Sequence, residues 1–155
     1  MASVEAIHVT PQRRGKPEPA QRVRVHAARG VEGDYHCVPH ERGDGRDLTL
    51  IAGEAVDALA AEHGVWLEPG ESRRNVTTRG IDLNALVGRR FSVGGVEAVG
   101  VELCEPCKVL VRLTGDWGVL RGLVHRGGLR ADVVRSGEIA VGDAVADLGA
   151  ADADC

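Results

Sequence analysis

Val23, Val25 and Ala27 alternate with Arg22, Arg24 and His26, the period of a strand with one buried face. Similar short runs recur along the chain. Residues 3–9 alternate less regularly, Asp47 to Ile51 forms a compact apolar run, and Arg73 to Thr78 reads as a polar strand or strand approach. Phe91 to Val93 and Val96 to Leu103 flank Gly94-Gly95, which predicts a hairpin. Leu129, Ala131 and Val133 continue the series, Ile139 to Val141 lies between glycine turns, and Ala144, Ala146 and Leu148 predict a final short strand. The period changes to that of a helix at Ala52, Ala55, Val56, Leu59, Ala60 and His63, with Gly64 as the stop signal. On that face His63 reads as a half-buried packing residue. Leu83 to Leu86 allows one helical turn capped by Asp82, and Trp117 to Val124 predicts a short helix carrying Val119, Leu120 and Leu123 on one side. Pro11 to Pro19 reads as a polar loop, while Gly30 with Gly33 and Pro69-Gly70 mark turns.

Many short strands, frequent glycine turns and two or three short helices predict a mainly β fold, a closed or partly closed barrel with helices at its rim. A doubly wound sheet fits less well, because strands and helices do not alternate regularly. With 155 residues the chain is long enough for one domain with a proper core and too short for two of ordinary size. The expected domain is 1–155, with a core of about 20–148 and a small acidic tail, 149–155, that frays. Aromatics make up 3% of residues, so Val, Leu, Ile and Ala must build the core. The N-terminus lacks a hydrophobic signal segment and no apolar run is long enough to span a membrane, so a cytoplasmic location is expected. In that compartment cysteines stay reduced, which favours catalysis or metal binding over structural disulfides.

The net charge of −4 conceals an uneven distribution. Residues 1–72 carry 8 basic and 12 acidic groups, 73–135 carry 11 and 6, and 136–155 carry none and 5. The middle segment is therefore basic inside an acidic protein. Few aromatics and overall acidity argue against a nucleic-acid partner, and a small anionic ligand fits better. Arg73, Arg74, Arg126 and Arg130 are the cations for it, the last two in the glycine loop His125-Arg126-Gly127-Gly128-Leu129-Arg130.

The chemistry concentrates at Gly100-Val-Glu-Leu-Cys104-Glu-Pro-Cys107-Lys-Val-Leu-Val-Arg-Leu113. Val99, Val101 and Leu103 have strand period, after which Pro106, Val109, Leu110 and Leu113 have helix period. Proline suits a first helical position. Cys107 then falls in the first turn and Cys104 near the cap, where the helix dipole and unpaired N–H groups favour a thiolate. A lone Cys-x-x-Cys is also compatible with a redox pair, two buried thiols or half of a zinc site. Cys37-x-x-His40 could supply the other half, making a Cys3His set. The loop from there to Arg46, with Gly43 and Gly45, reads as mobile and exposed.

The order of landmarks resembles the MOSC domain, named for the C-terminal domain of molybdenum cofactor sulfurase. They are Gly33-Asp34-Tyr35-His36, Leu48 to Ile51 with Glu54, Pro69-Gly70 before Arg74-Asn75, Gly80-Ile81-Asp82-Leu83, Gly88 with Phe91, the Cys-x-Pro-Cys stretch, the glycine loop at 125–130, and Gly142-Asp143. The resemblance covers roughly residues 20–148. It implies a β-rich barrel and the pyranopterin molybdenum cofactor. It also implies that one cysteine ligates molybdenum or carries sulfur, Cys107 matching that position best and Cys104 second. Relatives include reductases of N-hydroxylated compounds and proteins thought to move sulfur in cofactor maturation, so a small-molecule substrate and an external electron or sulfur donor are expected. On this reading Arg73, Arg74, Asn75, His125, Arg126, Gly127, Gly128 and Arg130 hold the cofactor, whose phosphate calls for arginines and a glycine loop. His36 is a proton donor or a polar loop residue, Asp34 first a turn cap, and Glu54 a cap or solvent-facing. Two features depart from several reductase relatives: the chain reads as a stand-alone domain, where they carry further parts, and Arg74 precedes Asn75 where some members have Glu.

Overall fold

The structure is a computed structural model that describes residues 2–104, 122–123 and 125–151. The described chain runs β1 (Ser3–Val9), β2 (Glu18–Ala20), β3 (Arg22–His26), β4 (Gly30–Val31), β5 (Leu48–Ala52), α1 (Gly53–His63) and β6 (Val76–Arg79). A single 3-10 turn (Leu83–Leu86) follows, then β7 (Arg89–Val93), β8 (Val96–Leu103), β9 (Leu129–Arg135), β10 (Gly137–Ala140) and β11 (Val145–Ala150). The fold is mainly β, built on an eight-stranded mixed sheet in the order β11-β7-β8-β9-β5-β6-β1-β2, with a small sheet β10-β3-β4 beside it. Only β5 and β6 pair parallel, Leu50 opposite Val76, and the α1 crossover that joins them supplies the length such a connection needs.

As a ladder the large sheet is open. Its two ends nevertheless approach each other, since Ser3 bridges Ala144 and Val4 N–H donates to Asp143 O at 2.8 Å. The alternation in β3 is realised directly, with Val23 and Val25 buried and Arg22 and Arg24 exposed. One continuous core lines the inner faces, from Val4 and Ile7 through Leu48, Leu50 and Val76 to Phe91, Val133 and Ile139. A second cluster of Ile51, Leu59, Val65 and Leu123 fixes α1 on the outside of the sheet. Burying a side chain the size of Leu59 contributes about 1.5–3 kcal/mol, which anchors a helix with no side-chain N-cap. At its other end Gly64 takes φ 67°, and its N–H closes the last turn on Ala60 O.

Four details differ from the pattern along the chain. Glu18–Ala20, inside the expected loop, is an edge strand on β1, a position where Pro19 needs no ladder donor. Gly30–Val31, expected as a turn, pairs with β3 instead. In β11 the buried residue is Val145, while Ala146 and Leu148 face solvent, one residue out of phase with the expected face. His63 is exposed. The expected helix at Trp117–Val124 and the helical half of the Cys-x-x-Cys stretch lie largely outside the described residues, as do Cys107 and Cys155.

Strand polarity decides where the chemistry gathers. β8 ends at Leu103 where β9 begins at Leu129, and Cys104 N–H extends that ladder by donating to Gly128 O at 2.8 Å. Arg130, the second residue of β9, lies opposite Glu102 near the end of β8 and opposite Thr49 in β5, and the Thr49 hydroxyl donates to Asn75 just before β6. Residues separated by as many as 120 positions therefore share one rim.

Candidate functional site

At that rim lies a cavity of about 630 Å³ lined by Thr10, Asp34, Tyr35, His36, His40, Asp47, Thr49, Arg73, Arg74, Asn75, Cys104 and Arg130, among others. Of the residues expected at the site, Cys104, His36, Arg73, Arg74, Asn75 and Arg130 come together here. His125, Arg126 and Gly128 line a separate cavity of about 430 Å³ on the other side of the glycine loop, with Glu54, Asp82 and Asn84. Gly127 joins the two regions through its backbone, because its carbonyl accepts a hydrogen bond from Arg74 Nε at 2.8 Å. Gly128 is required by geometry: its φ is 112°, and a Cβ there would lie 2.0 Å from Leu50 O.

Asn75, just before β6, is the knot of the wall. Its Oδ1 accepts from the Thr49 hydroxyl at 3.1 Å, and its Nδ2 donates to His8 O at 3.3 Å and Asp34 Oδ2 at 3.2 Å. Both ends of the amide are thus engaged with protein, joining β1, β5 and the 34–36 turn. Asp34 accepts further bonds from Thr10 N–H at 3.0 Å and from His36 N–H at 3.0 Å, the second closing an Asx turn. Burial raises the Asp34 pKa, but the hydrogen bonds from the His36 ring and from the His36 and Thr10 backbones outweigh it and hold the carboxyl below its ordinary range. The His36 ring sits 3.2 Å from Asp34 Oδ1 through Nδ1 and packs against Tyr35 at 3.9 Å between centroids. With Nδ1 directed to a carboxylate, Nδ1 carries the proton of the neutral ring and Nε2 is left as the exchangeable position.

The arginines divide into two groups. Arg130 Nη1 donates to Glu102 at 2.6 Å and Arg126 Nη1 to Glu62 at 2.8 Å, so each is neutralised by a carboxylate. Among the described residues Arg73 and Arg74 bond only to backbone oxygens, Arg73 Nη1 to Gly15 O at 2.9 Å and Arg74 Nη1 to Ser72 O at 3.3 Å. Those bonds orient the guanidinium groups without cancelling their charge. Cys104 is a buried thiol at the cavity's edge.

Sequence reasoning missed the pair His40 and Asp47, both buried. His40 Nδ1 donates to Val38 O at 2.8 Å and its Nε2 meets Asp47 Oδ1 in a short hydrogen bond. Asp47 Oδ2 accepts from Val133 N–H at 2.9 Å and Ala28 N–H at 3.1 Å. The pair stitches the 36–46 loop to β9, and Asp132 adds bonds to Gly43 and Gly45 N–H at 2.8 and 3.0 Å. The loop is exposed, as expected, but anchored. Both nitrogens of His40 are occupied, which suits it poorly to the zinc set considered above. No group of three or more metal-ligating side chains occurs among the described residues. Cys37, half-buried, has its thiol pKa pushed up by burial. No strand or helix period marks Asp47, Thr10 or Thr49, and the spacing of His40 from Cys37 pointed to zinc rather than to Asp47, seven residues further on.

Fold and cavity define the class: a mainly β domain that assembles a thiol, a carboxylate-oriented histidine and guanidinium groups at one edge of its principal sheet. The MOSC domain family model matches residues 38–146, and the chain belongs to the MOSC domain family. Its fold is similar to that of the YuaD protein of Bacillus subtilis, at 18% identity and TM-score 0.75 over 94% of each chain. YiiM of Geobacillus stearothermophilus is similar at 14% identity and TM-score 0.75, over 96% of this chain and 75% of that one. YiiM of Escherichia coli gives 16% identity and TM-score 0.70, over 97% and 71%. No match is found among curated protein sequences.

Proposed function

We propose that this chain is a molybdenum-cofactor-binding MOSC protein that reduces N-hydroxylated or related small substrates with electrons from an external donor. The observation that carries this reading is the placement of Cys104 in one cavity with Arg73 and Arg74. A soft sulfur donor beside guanidinium groups that have no carboxylate partner among the described residues fits a cofactor that joins a soft-ligated metal to an anionic phosphate. The cavity volume lies within the range of small-molecule sites. Arg73, Arg74 and Arg130 would hold the anionic part. Cys104, or Cys107 three residues further on, would supply the sulfur. When bound, the cofactor supplies two-electron redox chemistry at molybdenum.

The remaining work falls to the chain itself. Reduction of an N-hydroxyl group to the amine consumes two electrons and two protons and releases water. His36, its Nδ1–H held by Asp34 Oδ1, takes up a proton from solvent at Nε2 and passes it to the leaving hydroxyl, and the second proton comes from solvent. Asn75 and Thr10 hold Asp34 in place for that task. Tyr35 and the anchored 36–46 loop line one side of the site. The approach of β1 to β11 supports a partly closed barrel as the scaffold. No helix among the described residues is long and apolar enough to cross a membrane, and a cytoplasmic setting belongs to this proposal.

Burial of Cys104 also favours a second reading, in which the cysteine carries a persulfide protected from solvent thiols and the protein acts as a sulfur carrier. Metal analysis of protein from a molybdenum-competent host separates the two: about one equivalent of molybdenum supports the reductase, and none favours the carrier. Cys104→Ser and Cys107→Ser, assayed on an N-hydroxylated base with an artificial donor, then identify the ligand. The variant that abolishes turnover while remaining folded names it; equal partial losses would count against a single-cysteine ligand.

A further inference from the structure

We propose that the 11–17 loop, with Arg73 and Arg74, forms an anion-binding rim that grips a phosphoryl group of the ligand in the main cavity. The inference rests on the reading of that cavity as a ligand site and reassigns the phosphate contact within it. Arg126 and Arg130, the cations of the glycine loop, are each paired with a carboxylate. Arg13, Arg14, Lys16, Arg73 and Arg74 have no carboxylate within ion-pair distance among the described residues. Five cations without a counter-charge in a protein of net charge −4 mark a local positive field.

Geometry joins these five into one unit. Thr10, where the loop begins, lines the cavity, as do Arg73 and Arg74. Arg73 Nη1 reaches Gly15 O in the middle of the loop at 2.9 Å and holds the loop against the cavity wall. Arg14 and Arg73 both have left-handed backbones, φ 63° and 62°, a conformation that an arginine adopts at a cost. Strain of this kind persists where the surrounding structure uses it, and here it falls on Arg73, which makes the Gly15 contact, and on Arg14, the residue before Gly15. The loop lies outside the segment matched by the family model, whereas Arg73 and Arg74 lie inside it. Guanidinium groups bind phosphoryl oxygens bidentately, which makes a phosphate ester or pyrophosphate the matching chemistry.

Inorganic pyrophosphate is the probe, titrated by calorimetry into the full chain at low salt. Amide shifts at residues 12–16 and 73–75 locate the binding. Arg14→Gly removes a cation while relieving the left-handed backbone, so the fold is retained. Combined with Arg13→Gln and Lys16→Gln, it raises the dissociation constant about tenfold or more, each exposed cation contributing up to about fivefold. Arg22→Gln, whose arginine pairs with Glu138 on another face, leaves it unchanged. A triple variant that binds pyrophosphate like the wild type, or a wild type that does not bind it at millimolar concentration, overturns the rim. Comparing a pterin phosphate ester with the matching pterin alcohol identifies the source. A preference for the ester that disappears in the triple variant assigns the rim to the cofactor's phosphate, whereas equal binding of the two, with pyrophosphate still gripped, assigns it to a phosphorylated substrate. Molybdenum content does not enter these readouts. A chain that grips pyrophosphate but holds no molybdenum overturns the cofactor reading alone, and one that holds molybdenum while the triple variant changes nothing overturns the rim alone.

Discussion

Asn75 shows how a residue chosen for ligand chemistry can be held by the protein first. Its amide is engaged at both ends, by Thr49 on one side and by His8 O and Asp34 on the other. Removing it takes away the acceptor of the Thr49 hydroxyl proton and one of the two hydrogen bonds to Asp34 Oδ2, which keeps Thr10 N–H, and the bonds lost are together worth about 1–3 kcal/mol. Asn75→Ala is therefore expected to lower unfolding stability by at least about 1–3 kcal/mol in urea titrations, with no cofactor present. Unchanged stability would return Asn75 to a role directed only at ligand. Type and position of this residue were legible in the sequence, as were those of Arg73, Arg74 and Cys104. Its partners were not, because Thr49, His8 and Asp34 reach it through three different strand connections. The His40 and Asp47 pair, seven residues apart, escaped for a different reason: the glycine-containing loop between them has no period that would bring the two side chains together.

Among the elements, those with clear alternation or helical period were readable: β3, the β7–β8 hairpin, β9 and α1 all stand where their apolar positions put them. Elements whose residues carry little side-chain signal were not. β2 contains Glu, Pro and Ala and is held by backbone pairing to β1, and β4 contains a glycine and a valine. In β11 the alternate positions are small, so either phase looks plausible in sequence; the pairing of Val145 with Val93 decides it. The glycine loop before β9 was legible as a loop but not in its placement, since β9 divides its residues between two cavities. Gly128 is the element's fixed point. With φ 112° and Leu50 O 2.0 Å from a built Cβ, Gly128→Ala must push β9 away from β5. The cost is expected to exceed in size the roughly 0.4–1 kcal/mol by which a compatible glycine replacement stabilises, and the displacement should lower cofactor or pyrophosphate binding at the neighbouring rim as well. Calorimetric unfolding and pyrophosphate titration of the same variant check both parts, and a wild-type melting temperature would contradict the packing argument.

Across the whole molecule, charge and burial are unevenly shared, and one histidine reports on that. His8 lies in β1 on the side away from the main cavity, beside a cavity of about 280 Å³ that also contacts Glu5, Asp57, Glu68 and Arg79. It is 6% exposed, and its Nδ1 has no hydrogen-bond partner. Burial without a partner disfavours the imidazolium, and the His8 pKa is pushed below its ordinary value of 6.5. Above that value the folded and unfolded chains both hold a neutral ring, and the molecule keeps its full stability. As the pH falls from 6.5 through the lower folded value, the unfolded chain takes up a proton that the folded chain refuses, and stability is lost. Asp34 acts lower on the scale. Its folded pKa lies below the ordinary 3.8, so its contribution is present above 3.8 and disappears only as the pH falls through the folded value. A comparison between pH 7.5 and 5.5 therefore isolates the histidines from Asp34. His8→Leu removes the titrating ring and its unpaired nitrogen together. Urea midpoints should fall between those two pH values for the wild type, and by less for His8→Leu. At pH 7.5 the variant should be within about 1–3 kcal/mol of the wild type, the scale of one unsatisfied buried group. If both proteins lose the same stability on acidification, the acid sensitivity of the fold lies with the partnered histidines, and His8 titrates in the folded protein as it does in the unfolded chain.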